Sequence, residues 1–233
     1  MTQRYAIYFA PPPDSPWWRF GSRWLGYDAA TGEPVPQLAI PGVAPERFAA
    51  LTREPRRYGF HATLKAPIRL APGGTPAALE SRLQAFAAER APFALPRMVT
   101  AELRTFLACV FETHHPATQA LADACVTAFD DLRATLNRTE LARRLARPLS
   151  EREAAHLDRW GYPYVFDAFR FHMTLTRSLG RVSHAEAQAI RAAAADAVDA
   201  LADVPLVCDA VCLFVQPRAD APFRIARRFP FGG

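Results

Sequence analysis

The 233-residue chain lacks the features that mark membrane proteins and disulfide-rich proteins. No apolar run approaches the roughly 18 residues of a membrane-spanning helix, and the apolar stretch at residues 5–10 is too short for a signal-peptide core. The four cysteines form no C-x-x-C pair, and Cys208 and Cys212 would lie about 13 Å apart in a strand, too far for a disulfide. We therefore expect a cytoplasmic protein with no membrane partner.

Common catalytic motifs are also missing. The sequence has no G-x-S-x-G nucleophile elbow, and the glycine-containing turn at residues 72–75 lacks the lysine and the spacing of a phosphate-binding P-loop. These absences argue against a serine hydrolase and against a P-loop enzyme.

Lysine is nearly absent, whereas arginine is abundant. Of the 28 basic residues, one is Lys65 and the other 27 are arginines, and the formal net charge is +5. A mild positive excess favours an anionic partner. Lys65 is either a chance survivor of this bias or marks a position that needs a compact ammonium instead of a planar guanidinium.

What the sequence does contain is one pattern that occurs twice, at residues 61–64 (HATL) and 172–175 (HMTL). A given histidine begins H-x-T-L by chance only about once in two hundred times, so two copies in one short chain are unexpected. Both copies lie in predicted strands, where side chains two residues apart share a face. Each copy therefore presents one imidazole and one hydroxyl on the same side.

The order of the predicted elements indicates an α+β fold. Strands are predicted at 4–10, 60–70, 99–112, 168–176, 206–216 and 223–229, and helices at 17–25, 45–51, 75–90, 116–160 (interrupted near 148–150) and 183–202. Each motif strand is followed by a helix and then by a strand. We expect one domain, residues 1–233, with two pseudo-symmetric lobes of antiparallel sheet around a central cleft and the two motif strands side by side.

An arginine-rich segment lies within the predicted helical region. Seven arginines fall between residues 133 and 159, interleaved with Glu140, Glu151, Glu153 and Asp158. One interpretation is a solvated helix face with many salt bridges. The other is a basic lid over a phosphate group, and the sequence leaves both open.

The two motifs resemble the signature of the two-histidine (2H) phosphoesterase superfamily, H-x-[TS]-hydrophobic. The flanking residues 58–65 (YGFHATLK) and 169–176 (FRFHMTLT), together with 4–11 (RYAIYFAP) and 160–166 (WGYPYVF), resemble the branch often encoded near phosphonate-degradation genes. This resemblance implies a bilobal α+β fold, a central cleft and phosphodiester chemistry without a metal. Relatives in the superfamily open cyclic phosphodiesters of RNA ends or nucleotides.

Paired histidines suit the opening of a cyclic phosphodiester by water. One group must accept a proton from the water and another must donate a proton to the leaving alkoxide, and an unperturbed histidine pKa near 6.5 allows both roles. We therefore predict that His61 and His172 are the catalytic acid and base, in an order that stays open. Thr63 and Thr174 are predicted to donate hydrogen bonds to the non-bridging oxygens.

Three further residues are predicted to bind the substrate. Lys65 lies two residues beyond Thr63, and regular alternation places it on the same face, within reach of a phosphate oxygen. Replacing Lys65 by alanine should therefore raise KM more than it lowers kcat. Tyr58 and Tyr164 can stack on a sugar or base, although aromatic residues at such positions also pack in cores.

We thus expect a monomeric, cofactor-free cyclic phosphodiesterase that acts on a small anionic substrate. The candidates are a phosphorylated ribose cyclic phosphate, a nucleoside cyclic phosphate and an RNA 2′,3′-cyclic end. A zinc site is not indicated, since catalytic zinc requires three protein ligands and each motif supplies one. The alternative is a non-catalytic nucleotide- or RNA-binding module, although no stretch interleaves exposed aromatic residues with basic ones along a sheet as RNA readers do.

Overall fold

The computed structural model describes residues 3–233. The strands are β1 (Arg4–Phe9), β2 (Tyr27–Asp28), β3 (Glu33–Pro34), β4 (Ala62–Ile68), β5 (Phe93–Ala94), β6 (Met98–Leu103), β7 (Phe106–Phe111), β8 (His172–Ser178), β9 (Val207–Cys208), β10 (Ala210–Gln216) and β11 (Arg224–Pro230). The helices are α1 (Pro16–Leu25), α2 (Pro45–Arg56), α3 (Pro76–Ala88), α4 (Pro116–Ala128), α5 (Arg138–Leu145), α6 (Glu151–Trp160) and α7 (His184–Asp199), with a 3-10 turn at Phe166–Ala168.

Seven strands form one antiparallel sheet in the order β11-β10-β1-β4-β8-β7-β6. The motif strands β4 and β8 are neighbours at its centre, where Ala62 pairs with Met173. The predicted α+β class is confirmed, and so is the placement of the two motif strands side by side. The sheets of the two halves join edge to edge into one continuous sheet.

The two faces of the sheet bury different side chains. Alternation along β1 sends Ile7 and Phe9 into the main hydrophobic core, where the sheet packs against α1–α4 and α7. Tyr8 and Ala10 point to the opposite face and belong to a second, smaller cluster. Ala62 and Met173 are both fully buried in the main core. The residues that flank them in the motifs therefore point away from that core.

Helix starts follow the capping signals of the sequence. The side chain of Ser183 caps α7 and forms a reciprocal capping box with Glu186. Ser15 caps α1, whose first helical residue is Pro16. None of the helices in residues 3–233 is long and apolar enough to cross a membrane.

The predicted long helical region, 116–160, consists of three separate helices. Besides the expected break near 148–150, the chain leaves the helix after α4 and becomes helical again only at α5. In this segment the carbonyl of Leu132 accepts from the amide of Ala71, and the amide of Ala134 donates to the carbonyl of Arg69. Pairing with the residues that follow β4 thus overrides the helical pattern of the local sequence.

Candidate active site

The register between β4 and β8 brings the two motifs together. Because Ala62 pairs with Met173 in an antiparallel ladder, His61 lies across from Thr174, and Thr63 lies across from His172. Directly opposed residues in such a ladder are about 4.5–5.5 Å apart, and diagonal ones about 7–8 Å. The two histidines are a diagonal pair of this ladder, on the same face of the sheet.

The ring of His61 is oriented by its own backbone turn. Its Nδ1 donates to the carbonyl of Gly59 at 3.0 Å, which leaves Nε2 of the neutral ring unprotonated. The hydroxyl of Thr63 lies 3.3 Å from Nε2 and donates to it. Gly59 has a φ of +72°, and a Cβ atom there would lie 2.6 Å from the Cβ of Ala29. The turn that orients His61 therefore requires glycine.

His172 repeats this arrangement in the second half of the protein. Its Nδ1 donates to the carbonyl of Arg170 at 2.8 Å, again the residue two positions before the histidine. Nε2 of the neutral ring is then the free basic atom. Two imidazoles with the same tautomer therefore present basic nitrogens on the same face of the sheet.

Burial lowers the pKa of both imidazoles and so favours their neutral forms. It lowers the pKa of His61 to about 4, although the hydrogen bond to Gly59 acts in the opposite direction. Burial also lowers the pKa of His172, against the hydrogen bond to Arg170. An anion bound between the rings would favour protonation of one of them, because a nearby negative charge raises the pKa of a histidine.

Tyr8 is a residue of the site that sequence reasoning missed. Its ring stacks on His61 with centroids 3.8 Å apart and an interplanar angle of 23°. Tyr8 pairs with Thr63 across the β1–β4 ladder, which explains why it shares the motif face. The alternation of residues 4–10 predicted the strand, but nothing in the sequence paired this strand with β4.

A cleft over the motif face is divided into two adjoining cavities. One, of about 280 Å³, is bordered by His61 and Thr174. The other, of about 480 Å³, is bordered by His172. Thr63 and Tyr162 border both cavities, so the two meet at the centre of the site.

The two cavities differ in charge. The charged residues that line the His61 side are three arginines and one glutamate: Arg4, Arg143, Arg144 and Glu140. Those that line the His172 side are three arginines and four carboxylates: Arg104, Arg147, Arg170, Glu102, Asp123, Glu153 and Asp167. We name them the basic chamber and the mixed chamber.

The two predicted substrate-binding tyrosines lie in different chambers. Tyr58 borders the basic chamber, with its ring centroid 6.1 Å from that of His61, and it stacks on Phe223. Tyr164 borders the mixed chamber, where the guanidinium of Arg104 is 6.0 Å from its ring centroid. Both positions fit the predicted role, and contact with a substrate stays a prediction.

The placement of Lys65 corrects the sequence interpretation. Its side chain is 5% exposed, and Nζ donates to the carbonyl of Val126 at 2.8 Å and lies 3.6 Å from a carboxylate oxygen of Asp130. It borders neither chamber. Burial lowers the pKa of Lys65 to about 8, against the opposing charge of Asp130. Lys65 is therefore a buried residue whose ammonium is directed away from the motif face, contrary to the expected placement.

A β-bulge explains why regular alternation failed at Lys65. Tyr8 pairs with Thr63, but the next residue back along β1, Ile7, pairs with Lys65. Leu64 is therefore an extra residue, and the side chains beyond it change faces. Lys65 consequently shares the face of Ile7, which belongs to the main core.

The arginine-rich segment is divided between a salt-bridged surface and the border of the cleft. Arg133 and Arg159 pair with Asp130 at 2.9 Å, and Arg152 pairs with Asp167 at 2.6 Å. In contrast, the arginines at the end of α5 and just after it line the cleft: Arg143, Arg144 and Arg147. Part of the segment is thus a salt-bridged surface and part is a basic border of the candidate active site.

Comparison with known proteins identifies related sequences. A family model described as a protein of unknown function (DUF1045) matches residues 63–224. A protein of Janthinobacterium sp. (strain Marseille) named ribose 1,5-bisphosphate phosphokinase PhnN is 44% identical over 99% of this chain and 51% of its own length. A protein of the same name from Laribacter hongkongensis (strain HLHK9) is 39% identical over 96% of this chain and 51% of its own length. The chain spans about half the length of these curated relatives.

Distant structural similarity is found to phosphoesterases. The crystal structure of a phosphoesterase is 13% identical, with a TM-score of 0.42 and 99% of each chain covered. That of Escherichia coli LigT complexed with 3′-AMP is 14% identical, with a TM-score of 0.41 and 99% of each chain covered. At such scores the similarity supports no inference about activity.

Proposed function

The chain belongs to the DUF1045 family, and we propose that it is a phosphodiesterase that hydrolyses a small cyclic phosphodiester with its paired histidines. The observation that carries this proposal is the pairing of Ala62 with Met173. It aligns two His-x-Thr motifs on one face of the sheet, and both histidines make the same hydrogen bond to the carbonyl two residues earlier.

The paired motifs can supply the proton transfers of an in-line displacement. Water attacks phosphorus and gives a proton to one histidine, while the opposite P–O ester bond breaks and its oxygen takes a proton from the other. The product is a phosphomonoester with a free hydroxyl. In this mechanism the Thr63 hydroxyl turns from Nε2 of His61 to the substrate, and it and the Thr174 hydroxyl donate to the non-bridging oxygens, where negative charge grows in the transition state.

The surroundings of the rings suggest which histidine has which role. Tyr8 covers one face of His61, and the low pKa of that ring favours its neutral form. We assign His61 as the base that accepts the proton of water. His172 then takes a proton when the anionic substrate binds and acts as the acid.

The name of the curated relatives supports one of the candidate substrates. Both are named for ribose 1,5-bisphosphate. Hydrolysis of a 1,2-cyclic phosphate on ribose 5-phosphate, with cleavage of the bond to the 2-oxygen, yields ribose 1,5-bisphosphate. We therefore place a phosphorylated ribose cyclic phosphate before nucleoside or RNA 2′,3′-cyclic phosphates. The paired histidines suit this hydrolytic step, and we do not assign the kinase step of the name to this chain.

A substrate panel tests this function. Purified protein is incubated with ribose and nucleoside cyclic phosphates and with an RNA that ends in a 2′,3′-cyclic phosphate, and the products are identified by phosphorus NMR. We expect a cyclic diester resonance to be replaced by that of a monoester, with no turnover by the His61→Ala, His172→Ala double variant. Binding of these compounds without any hydrolysis would instead favour the non-catalytic module.

A further inference from the structure

We propose that the basic chamber binds a second phosphate group of the substrate, so that the preferred substrate is a cyclic phosphodiester that also carries a phosphomonoester. This inference rests on the proposed function and assigns a role to Arg4, Arg143 and Arg144. It is carried by the difference in charge between two cavities that share the same catalytic centre.

The basic chamber has a net positive charge that its own residues do not neutralise. Within residues 3–233, no carboxylate oxygen lies within 4.0 Å of a guanidinium nitrogen of Arg4, Arg143 or Arg144. The carboxylate that lines this chamber, Glu140, accepts from Arg69 at 2.9 and 3.0 Å. Its charge is therefore already matched by an arginine outside the chamber.

Two of the three arginines are held in place by neighbouring side chains. Nε of Arg4 donates to Gln216 at 2.7 Å, which leaves its two terminal nitrogens free. The guanidinium of Arg144 lies 4.6 Å from the ring centroid of Tyr162, which borders both chambers. A planar guanidinium whose position is fixed in advance is well suited to bind a phosphate through two parallel hydrogen bonds.

The mixed chamber is less suited to a second phosphate. Its three arginines are accompanied by four carboxylates. Glu102 and Asp167 pair with arginines outside the chamber. Within residues 3–233, however, Asp123 and Glu153 have no such partner and would repel a dianion. Its aromatic lining, which includes Phe106 and Tyr164, is instead suited to the face of a sugar or base. The charge difference thus orients the substrate, with its monoester on the His61 side.

A matched pair of substrates tests the proposal. Initial rates are measured for ribose 1,2-cyclic phosphate with and without a 5-phosphate. We expect the 5-phosphate to raise kcat/KM about 10- to 100-fold, mainly through KM, as one or two charge-assisted hydrogen bonds would do. Equal kcat/KM values would overturn the subsite while leaving the phosphodiesterase activity intact. A preference for a nucleoside cyclic phosphate without a 5′-phosphate would overturn it too, because it would show that the aromatic mixed chamber selects the substrate.

Substitutions in the basic chamber test which residues bind the 5-phosphate. Arg143→Ala and Arg144→Ala should each reduce the ratio of the kcat/KM values for the compounds with and without the 5-phosphate, and Arg144→Lys should restore that ratio in part. Arg138→Ala, on the same helix but outside both chambers, is the control and should change neither rate. Unchanged discrimination in the Arg143→Ala, Arg144→Ala double variant would contradict the assignment.

A binding measurement separates this inference from the proposed function. Calorimetric titration with ribose 5-phosphate, which has no cyclic diester, reports on the subsite alone. We expect binding by the wild-type protein that is at least about tenfold weaker in the Arg143→Ala, Arg144→Ala double variant. If ribose 5-phosphate binds more weakly to the double variant than to the wild type, but the protein hydrolyses no cyclic diester, the subsite stands and the proposed function fails. If it binds equally to both proteins, the subsite fails.

Discussion

The two histidines of the cleft share one local geometry and differ in their surroundings. Each donates from Nδ1 to the carbonyl two residues before it. His61, however, is stacked under Tyr8 beside the basic chamber, whereas His172 lies 5.8 Å from the Phe106 ring beside the mixed chamber. The comparison indicates that the same backbone contact, two residues before each histidine, orients both rings, while the side chains around the two rings differ in charge and in aromatic contact.

Removing either imidazole should have the largest effect. Each acid–base role is typically worth about 10²–10⁴ in rate, so His61→Ala and His172→Ala should each reduce kcat/KM by about that factor. Because the two act together, the double variant should lose far less than the product of the single losses. Thermal unfolding of all three variants checks that the fold is retained. Near wild-type turnover in either single variant would rule out the paired mechanism.

The backbone turns before the two histidines should respond differently to substitution. Gly59→Ala places a side chain at positive φ, at a cost of about 1–2 kcal/mol, and against Ala29. We expect the Gly59 carbonyl to move and kcat to fall about 10- to 100-fold, since a misplacement of about 1 Å can cost that much.

Arg170→Ala is the matched control for Gly59→Ala. It keeps the backbone carbonyl that accepts from His172, so the ring should keep its orientation and any loss should appear in KM. Equal losses of kcat in the two variants would show that the turn geometry is not what distinguishes the halves of the site.

The pH dependence should reveal the unequal surroundings. In the proposed assignment the base, His61, must be neutral, so kcat/KM should fall as pH drops towards about 4. The acid His172 must be protonated, and because its pKa is also lowered, activity should fall as pH rises through the region below 6.5. The optimum of kcat/KM is therefore expected on the acidic side of neutrality, with apparent values that belong to the pair. An optimum above pH 8 would contradict this assignment.

The lowered pKa of His61 should also make the stability of the fold depend on pH. The pKa of His61 is lower in the folded protein than in the unfolded chain, so the unfolded state binds more protons between about pH 6.5 and 4. The stabilisation that the neutral His61 contributes to the free energy of unfolding should be complete above pH 6.5 and should be lost as pH falls towards 4. Urea unfolding at a series of pH values should show a flatter dependence in His61→Gln than in the wild type.

The effect of the Tyr8 ring on the pKa of His61 can be measured directly. Tyr8→Leu removes the stacked ring that helps to shield His61 from water, so the pKa of His61 should rise towards 6.5. Tyr8→Phe retains a ring and should leave that pKa close to its wild-type value. NMR titration of the His61 ring protons distinguishes the two, and equal pKa values in both variants would show that other neighbours account for the burial.

Recurrence and periodicity predicted the parts of the site that depend on regular strands. The order of strands and helices predicted the α+β class, and the pseudo-symmetry inferred from it predicted the adjacent motif strands. Regular alternation predicted that the histidine and threonine of each H-x-T-L copy share a face. Lys65 was misplaced because a bulge at Leu64 broke that alternation. Tyr8 and the segment after α4 depend on pairing between distant parts of the chain, which local sequence does not encode.

The smallest effect on activity is expected four residues after each histidine, where Lys65 and Thr176 are both buried. Lys65→Met removes the hydrogen bond to the Val126 carbonyl, and Thr176→Val leaves the amide of Leu107 without its 3.1 Å acceptor. An unsatisfied buried polar group costs about 1–3 kcal/mol, so both variants should unfold at lower urea concentrations while kcat and KM stay near wild type. A raised KM with unchanged stability in Lys65→Met would instead show that the ammonium reaches the substrate, and that the two halves differ at this position in function as well as in sequence.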